Sequence, residues 1–286
     1  MDGVTTGPVI YLGTHLPHWL ATAGVPLFVS HRRLASRRAL PRAVCGWALD
    51  SGGFTELGMH GGWRTSAAEY VAAVERYDRE VGHLDWAAPR DWMCEPEMLA
   101  RTGLSVREHQ ERTVADFLDL TARWPAGSRS PFVPVLQGWD LAEYLHCVDL
   151  YQSAGVDLTR HRVVGVGSVC RRQATEQIRA VIAAVHQRLT PAGARTWPST
   201  LHGFGVKVRG LARYGRLLGS ADSLAWSYTA RRGARLPGHR HANCANCLPY
   251  ATAWRHRLLH QLATTCHQPS LFDQPEPDHS QYEGIT

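Results

Sequence analysis

Four short segments, far apart in the chain, each set a polar side chain beside a short apolar run: Asp50-Ser51-Gly52-Gly53-Phe54, Asp91-Trp92-Met93-Cys94, Val135-Leu136-Gln137-Gly138 and Ala221-Asp222-Ser223. Carboxylates can attack an electrophilic carbon or move protons, and a glutamine amide both donates and accepts hydrogen bonds. In a chain of alternating strands and helices, strand ends gather such groups into one pocket, so an enzyme is the leading expectation. Each residue also has a plainer use: an aspartate can form a turn, Asp91 can pair with Arg90, and Gln137 can cap a helix. The paired glycines Gly52 and Gly53 let the backbone turn sharply and approach a flat ligand.

A second cluster suits a metal. The run His239-Arg240-His241-Ala242-Asn243-Cys244-Ala245-Asn246-Cys247 packs four candidate ligands into nine residues, the pattern of a structural Zn2+ site with no open position. Cys244, Cys247 and His241 are expected ligands. The fourth is open among His260, His256, His239 and Cys266, and His260, on a predicted helix over 249–264, is carried forward. A redox role for the Cys-x-x-Cys pair lacks a thioredoxin-like context. The other cysteines are scattered singly and read as reduced core residues.

The elements that must position these groups alternate along the chain. Apolar runs predict strands over 9–12, 48–50, 84–87, 132–136, 163–166, 201–204 and 223–226. Helices are expected over 66–81, 105–124, 141–153, 173–189 and 208–218, the first two opening with the capping-box pairs Ser66/Glu69 and Ser105/Glu108. Seven or eight strand–helix steps in 286 residues fit an α/β chain folded as a (β/α)8 TIM-like barrel with an inserted or C-terminal zinc motif. No Gly-x-Gly-x-x-Gly opens a first helix, which disfavours an open dinucleotide-binding sheet. The barrel with its zinc motif is expected over 1–267. Residues 268–286, rich in prolines and acidic residues, are expected to form a disordered tail.

Hydrophobic residues make up 44% and charged residues 20%, ordinary for a globular chain and too polar throughout for a membrane span. The first residues lack the basic and apolar regions of a secretory signal, so a cytoplasmic location is expected. The net charge of +6 favours a polyanionic partner. Lys207 is the only lysine. Arginine pairs at Arg32-Arg33, Arg37-Arg38, Arg171-Arg172 and Arg231-Arg232 offer planar phosphate donors, although a compositional bias would also produce them.

Taken in order, the motifs resemble the tRNA-guanine transglycosylase superfamily, barrel enzymes that exchange guanine in a nucleic acid for a 7-deazaguanine. The run from Asp50 to Phe54 is similar to its signature, Gln137-Gly138 to its base-recognising glutamine, and Gly165-Val166-Gly167 to its glycine-bearing strand end. The segment from His202 to Lys207 resembles the following strand. Asp222 falls where the family keeps its nucleophilic aspartate, ahead of a zinc motif. The short chain, the reduced Cys244-Ala-Asn-Cys247 motif and the Val166–Arg172 segment look more like the DpdA-type branch, which acts on DNA.

The resemblance implies a base exchange through a covalent aspartyl-sugar intermediate, with Asp222 as nucleophile and Asp50 as acid and base. Asp91, Gln137, Gly165, Val166, Ser51, Gly52 and Gly53 would read the base. Arg171, Arg172, Lys207, Arg231, Arg232 and Arg235 would hold the polymer. DNA is the preferred partner, with a 7-deazaguanine such as 7-cyano-7-deazaguanine as incoming base and accessory proteins of a DNA-modification system as possible companions. The same exchange on tRNA, or a non-catalytic zinc-containing nucleic-acid-binding protein, are the alternatives.

Overall fold

The structure, a computed structural model, describes residues 7–170, 172, 176–190 and 200–265. The tail expected over 268–286 and the barrel boundary at 267 lie outside the described residues. In chain order the strands are β1 (Val9–Thr14), β2 (Leu27–Ser30), β3 (Trp47–Asp50), β4 (Leu84–Ala87), β5 (Val135–Leu136), β6 (Val164–Val166), β7 (Leu201–Gly203) and β8 (Ser220–Ser223). The helices are α1 (His31–Leu34), α2 (Gly53–His60), α3 (Ala67–Glu80), α4 (Pro96–Thr102), α5 (Val106–Arg123), α6 (Leu141–Ser153), α7 (Glu176–Leu189), α8 (Val208–Tyr214), α9 (Ala225–Arg232) and α10 (Leu248–Thr265).

All eight strands belong to one sheet in the order β4-β3-β2-β1-β8-β7-β6-β5, and every pairing is parallel. The sheet curls until its edges touch at a single parallel bridge, Ala87 to Phe132, where Ala87 N–H donates to Pro131 O at 2.9 Å and Val133 N–H to Ala87 O at 3.1 Å. Side-chain alternation divides the two faces of the curled sheet. Ile10, Leu12, Leu27, Val29, Trp47 and Leu49 point out into the large core beneath the helices. Their neighbours Tyr11, Phe28, Ala48 and Trp86 point in, forming an aromatic plug with Val133 and the partly buried Phe204.

Local signals start the helices as the sequence suggests. Ser66 Oγ accepts from Glu69 N–H at 3.2 Å while Glu69 Oε2 accepts from Ser66 N–H at 2.8 Å, and Ser105 and Glu108 repeat the arrangement at 3.3 and 2.8 Å. Several elements depart from expectation. Strand β2 and the short helices α1, α2 and α4 went unpredicted. The strand expected over 223–226 lies instead at Ser220–Ser223, because Ser223 Oγ accepts from Ala225 N–H at 3.3 Å and turns the apolar Leu224-Ala225-Trp226 run into the start of α9. Among the described residues no helix is long and apolar enough to cross a membrane.

Candidate functional site

A cavity of about 610 Å3 opens where the strands end, and Asp50, Asp91, Gln137 and Asp222 all line it. Residues at separate strand ends thus converge as the alternation requires. Its floor is the aromatic plug: the His202 ring lies 4.6 Å from Trp86 and 4.8 Å from Phe204, centroid to centroid.

Asp222, in β8, is 7% exposed. Its Oδ1 accepts from Gly205 N–H at 2.8 Å and lies 3.3 Å from His202 Nε2, while the other ring nitrogen of His202 meets Ser220 Oγ at 2.9 Å. One carboxylate oxygen is therefore fixed by the β7 end. Asp50 closes β3; its Oδ1 accepts from Gly52 N–H at 3.0 Å and its carboxylate also bonds the Ser30 side chain. Gly52 has φ of +82°, a left-handed turn, and a Cβ there would also meet the Arg32 side chain at 2.9 Å. Burial pushes the Asp50 carboxyl above its usual range, and the Asp222 charge adds to the shift.

Asp91 is held from both sides. Gln137 Nε2 donates to Asp91 Oδ2 at 2.7 Å, and Ser51 Oγ lies 3.4 Å from Asp91 Oδ1. Burial, with Asp50 and Glu95 nearby, raises the Asp91 pKa to about 7, against the lowering effect of the Gln137 bond. Helix α5 braces this wall: Gln110 Nε2 donates to Gln137 O at 2.7 Å, Thr113 Oγ1 accepts from Trp92 N–H at 2.9 Å, and His109 Nδ1 lies 2.7 Å from Met93 O.

Two residues of this wall were not singled out from the sequence. Glu95 is 2% exposed, and its Oε2 lies 2.8 Å from Ser168 Oγ. Ser168 also lies 2.8 Å from Gln137 Oε1 and accepts from Cys94 N–H at 2.9 Å. Its backbone φ of +53° is unusual for a serine. Only a glutamate next to a proline at a helix start hinted at Glu95. Ser51 and Gly53 line the cavity, but Gly165 and Val166 do not; they sit inside β6, and the lining falls to Gly167 and Ser168. A Cβ on Gly167 would meet Gln137 Nε2 at 2.3 Å, so glycine is what lets the amide lie flat there.

The basic residues divide differently from expectation. Arg32 and Arg33 line the cavity rim. Arg172 stacks over Trp139 at 4.0 Å and Arg232 over Tyr228 at 3.7 Å. Lys207, Arg231 and Arg235 are exposed, and neither these residues nor Arg172 and Arg232 line the cavity. Arg171 lies outside the described residues.

The metal motif folds into one cluster whose donor atoms all lie within 4.8 Å of one another: His239, His241, Cys244 and Cys247. His241 Nε2 is 3.1 Å from Cys244 Sγ, His239 Nδ1 3.4 Å from Cys247 Sγ, and the two imidazoles 3.3 Å apart. A tetrahedral zinc with metal–ligand bonds of about 2.0–2.3 Å requires such separations, so the donor set fits that ion. His260 is not in the cluster; it is exposed on α10, and His239 takes the place expected for it. Ser227 Oγ donates to Ala245 O at 3.0 Å, and His15, on the cavity rim, reaches Asn246 Oδ1 at 2.8 Å, tying this loop to α9 and to the cavity wall.

No curated protein matches the chain. Residues 8–274, by contrast, match a family described as DpdA: DeoxyPurine in DNA protein A. With the motifs in family order and four carboxylates and a glutamine around one cavity, the chain belongs to the DpdA family, the DNA 7-deazaguanine transglycosylase branch of the tRNA-guanine transglycosylase superfamily.

Proposed function

We propose that the protein is a pentosyltransferase that replaces guanine in DNA with a 7-deazaguanine such as 7-cyano-7-deazaguanine. The observation that carries this reading is the convergence of Asp50, Asp91, Gln137 and Asp222 on one cavity large enough for a purine nucleotide. The closed (β/α)8 barrel of the family is part of the reading, supported by the Ala87–Phe132 bridge.

In this mechanism Asp222 keeps Oδ1 on Gly205 N–H and His202, leaving Oδ2 to approach C1′ of the target nucleotide. The C1′–Oδ2 bond forms as the C1′–N9 bond breaks, and the electron pair passes to N9 of guanine. Asp50, whose raised pKa favours the acid form, gives the departing base its proton. The incoming base then returns a proton to Asp50, its ring nitrogen attacks C1′, and Asp222 leaves as a carboxylate. Two displacements retain configuration at C1′. Asp91 and Gln137 read the donor and acceptor edge of both bases; one missing partner leaves a buried group unpaired at about 1–3 kcal/mol. A target in duplex DNA must be flipped to reach this depth. His239, His241, Cys244 and Cys247 would hold Zn2+ in a structural role, since four protein ligands would leave no position for substrate.

The test is a denaturing gel of the protein incubated separately with DNA and with tRNA. A protein–DNA adduct that disappears in Asp222→Asn is expected. An adduct with tRNA alone moves the substrate to RNA, and none with either polymer favours a binding role.

A further inference from the structure

The edges of the curled sheet are β4 and β5, and they meet at the Ala87–Phe132 bridge. Asp91 follows the first of these strands and Gln137 the second, so the pair joined by Gln137 Nε2 to Asp91 Oδ2 at 2.7 Å stands at this seam. Strands β1 and β8 are the middle pair of the same sheet, across the cavity from the seam. Asp222 lies on β8, level with Tyr11 of β1, while Asp50 is level with Ser30 of β2. The strands β1 and β2 therefore separate the two acting carboxylates. A purine whose hydrogen-bonding edge is read at the seam carries its glycosidic nitrogen on the other side of the ring system, toward Asp222. Its sugar and the flanking phosphates must leave the cavity over β8, β1 and β2.

The cationic side chains of the cavity stand on that side. Among the described lining residues they are His15, Arg32 and Arg33. His15 directly follows β1, and the two arginines follow β2; since Thr14 pairs with Val29, His15 comes level with Ser30, just before them. Two of the three are anchored. His15 Nε2 lies 2.8 Å from Asn246 Oδ1 in the metal loop. The Arg32 stem packs on the turn at Gly52, and its Nη1 is 3.7 Å from Glu56 Oε1. That ion pair takes up one edge of a planar fork of N–H donors. Arg33 is exposed, and among the described residues no carboxylate pairs with its side chain.

Guanine and 7-deazaguanine are neutral and give these cations nothing to hold, whereas a phosphodiester fixed to the sugar does. We infer that His15, Arg32 and Arg33 form a clamp for a phosphate next to the target nucleotide, so that the DNA backbone crosses the rim over β1 and β2. The inference rests on the base-exchange reading above. It gives the clamp to a different set from Arg231, Arg232 and Arg235, which lie at the end of α9 remote from β8 or beyond it. These are positioning residues: they orient the sugar between Asp222 and Asp50 and touch no reacting atom.

The test is a double-mutant cycle between protein and DNA, run on the zinc-loaded full chain. A single-stranded deoxyoligonucleotide with one guanine carries an uncharged methylphosphonate 5′ to that guanine, 3′ to it, or several nucleotides away, and binding is read by fluorescence anisotropy. In wild type, neutralising one of the two flanking phosphates is expected to weaken binding about tenfold, the range of one lost charge-assisted contact, and neutralising the distant one to matter little. In Arg33→Ala the same flanking change is expected to cost less than about twofold, because its partner is already gone. His15→Ala and Arg32→Ala are expected to couple likewise; where Arg32→Ala disturbs the Gly52 turn, Arg33→Ala carries the comparison. Calorimetric affinity for the free base is expected to stay as in wild type, a readout that a general disturbance of the cavity would move. Flanking changes that leave wild type unaffected, that weaken wild type and Arg33→Ala equally, or that couple instead to Arg231→Ala or Arg235→Ala overturn the assignment. Coupling that persists in a protein unable to exchange any base would sink the exchange reading and leave the clamp standing.

Discussion

Asp91 sits where a carboxyl group with a pKa near 7 has two measurable consequences. Its folded value lies above the ordinary 3.8, so the folded protein holds a proton that the unfolded chain releases between about pH 4 and pH 7. Stability from this group is full below that window and declines as pH rises through it. Thermal melts from pH 5 to pH 8 should show a smaller decline in Asp91→Asn than in wild type. Guanine binding should move the other way, tightening as pH rises through 7, since the carboxylate is the form that accepts from the base; calorimetry across that range checks it. The groups facing Asp91 are Asp50 and Glu95, which raise its pKa, and the Gln137 amide, which opposes them. His202 acts on chemistry instead. Replacing it with alanine removes one of the two contacts at Asp222 Oδ1, and a fall in kcat of about tenfold to a hundredfold, with base affinity unchanged, is expected in single-turnover assays.

At the level of elements, α5 carries more of the site than its position outside the sheet suggests. Gln110 is 1% exposed and donates to both Gln137 O and Glu143 O at 2.7 Å. Gln110→Ala strands both carbonyls, and a loss of about 2 kcal/mol in denaturant unfolding is expected, together with weaker base binding. The elements also mark how far sequence reasoning reached. Helices α3 and α5 were legible because their capping boxes are complete within four residues. Asp50, Asp91, Gln137 and Asp222 were legible because strand ends must converge. Strand β2 was missed: Leu27-Phe28-Val29 is a short apolar run directly after Pro26, with no periodicity to separate it from a loop. Glu95 and Ser168 lie 73 residues apart and His202 and Asp222 20 apart, so their partnerships exist only once the sheet has curled. Sequence left the fourth ligand open among His260, His256, His239 and Cys266, since spacing does not say which histidine folds back; the turn at Cys244–Cys247, closed by Cys247 N–H to Cys244 O at 3.1 Å, stands with His239 in the cluster.

For the molecule as a whole, the metal cluster and the basic rim make separate demands. Cys244 and Cys247 belong to the main core, beside Tyr250 and Trp254, so zinc removal should loosen α10 and α9 together. Chelation is expected to lower the melting temperature in wild type and to have little further effect in Cys247→Ser, readable by differential scanning fluorimetry. Arg32 and Arg33 stand on the rim of a chain with net charge +6. Arg33→Ala should weaken DNA binding uniformly across sequences and reduce the slope of log affinity against log salt by roughly one, measured by fluorescence anisotropy.

The first strand of this sheet is also one of the last to be satisfied. β1 lies between β2 and β8, Arg255 Nε donates to Ile10 O at 2.8 Å, and Trp226 Nε1 donates to Gly13 O at 2.8 Å. On the ribosome, β1 must therefore wait for residues synthesised more than two hundred positions later. Until then Ile10 and Leu12 have no complete home, and an arrested nascent chain with β8 still in the exit tunnel should remain open to protease at β1. Assembly of the cavity is on this view a late event, and the growing chain passes through a stage in which chaperone capture competes with closure.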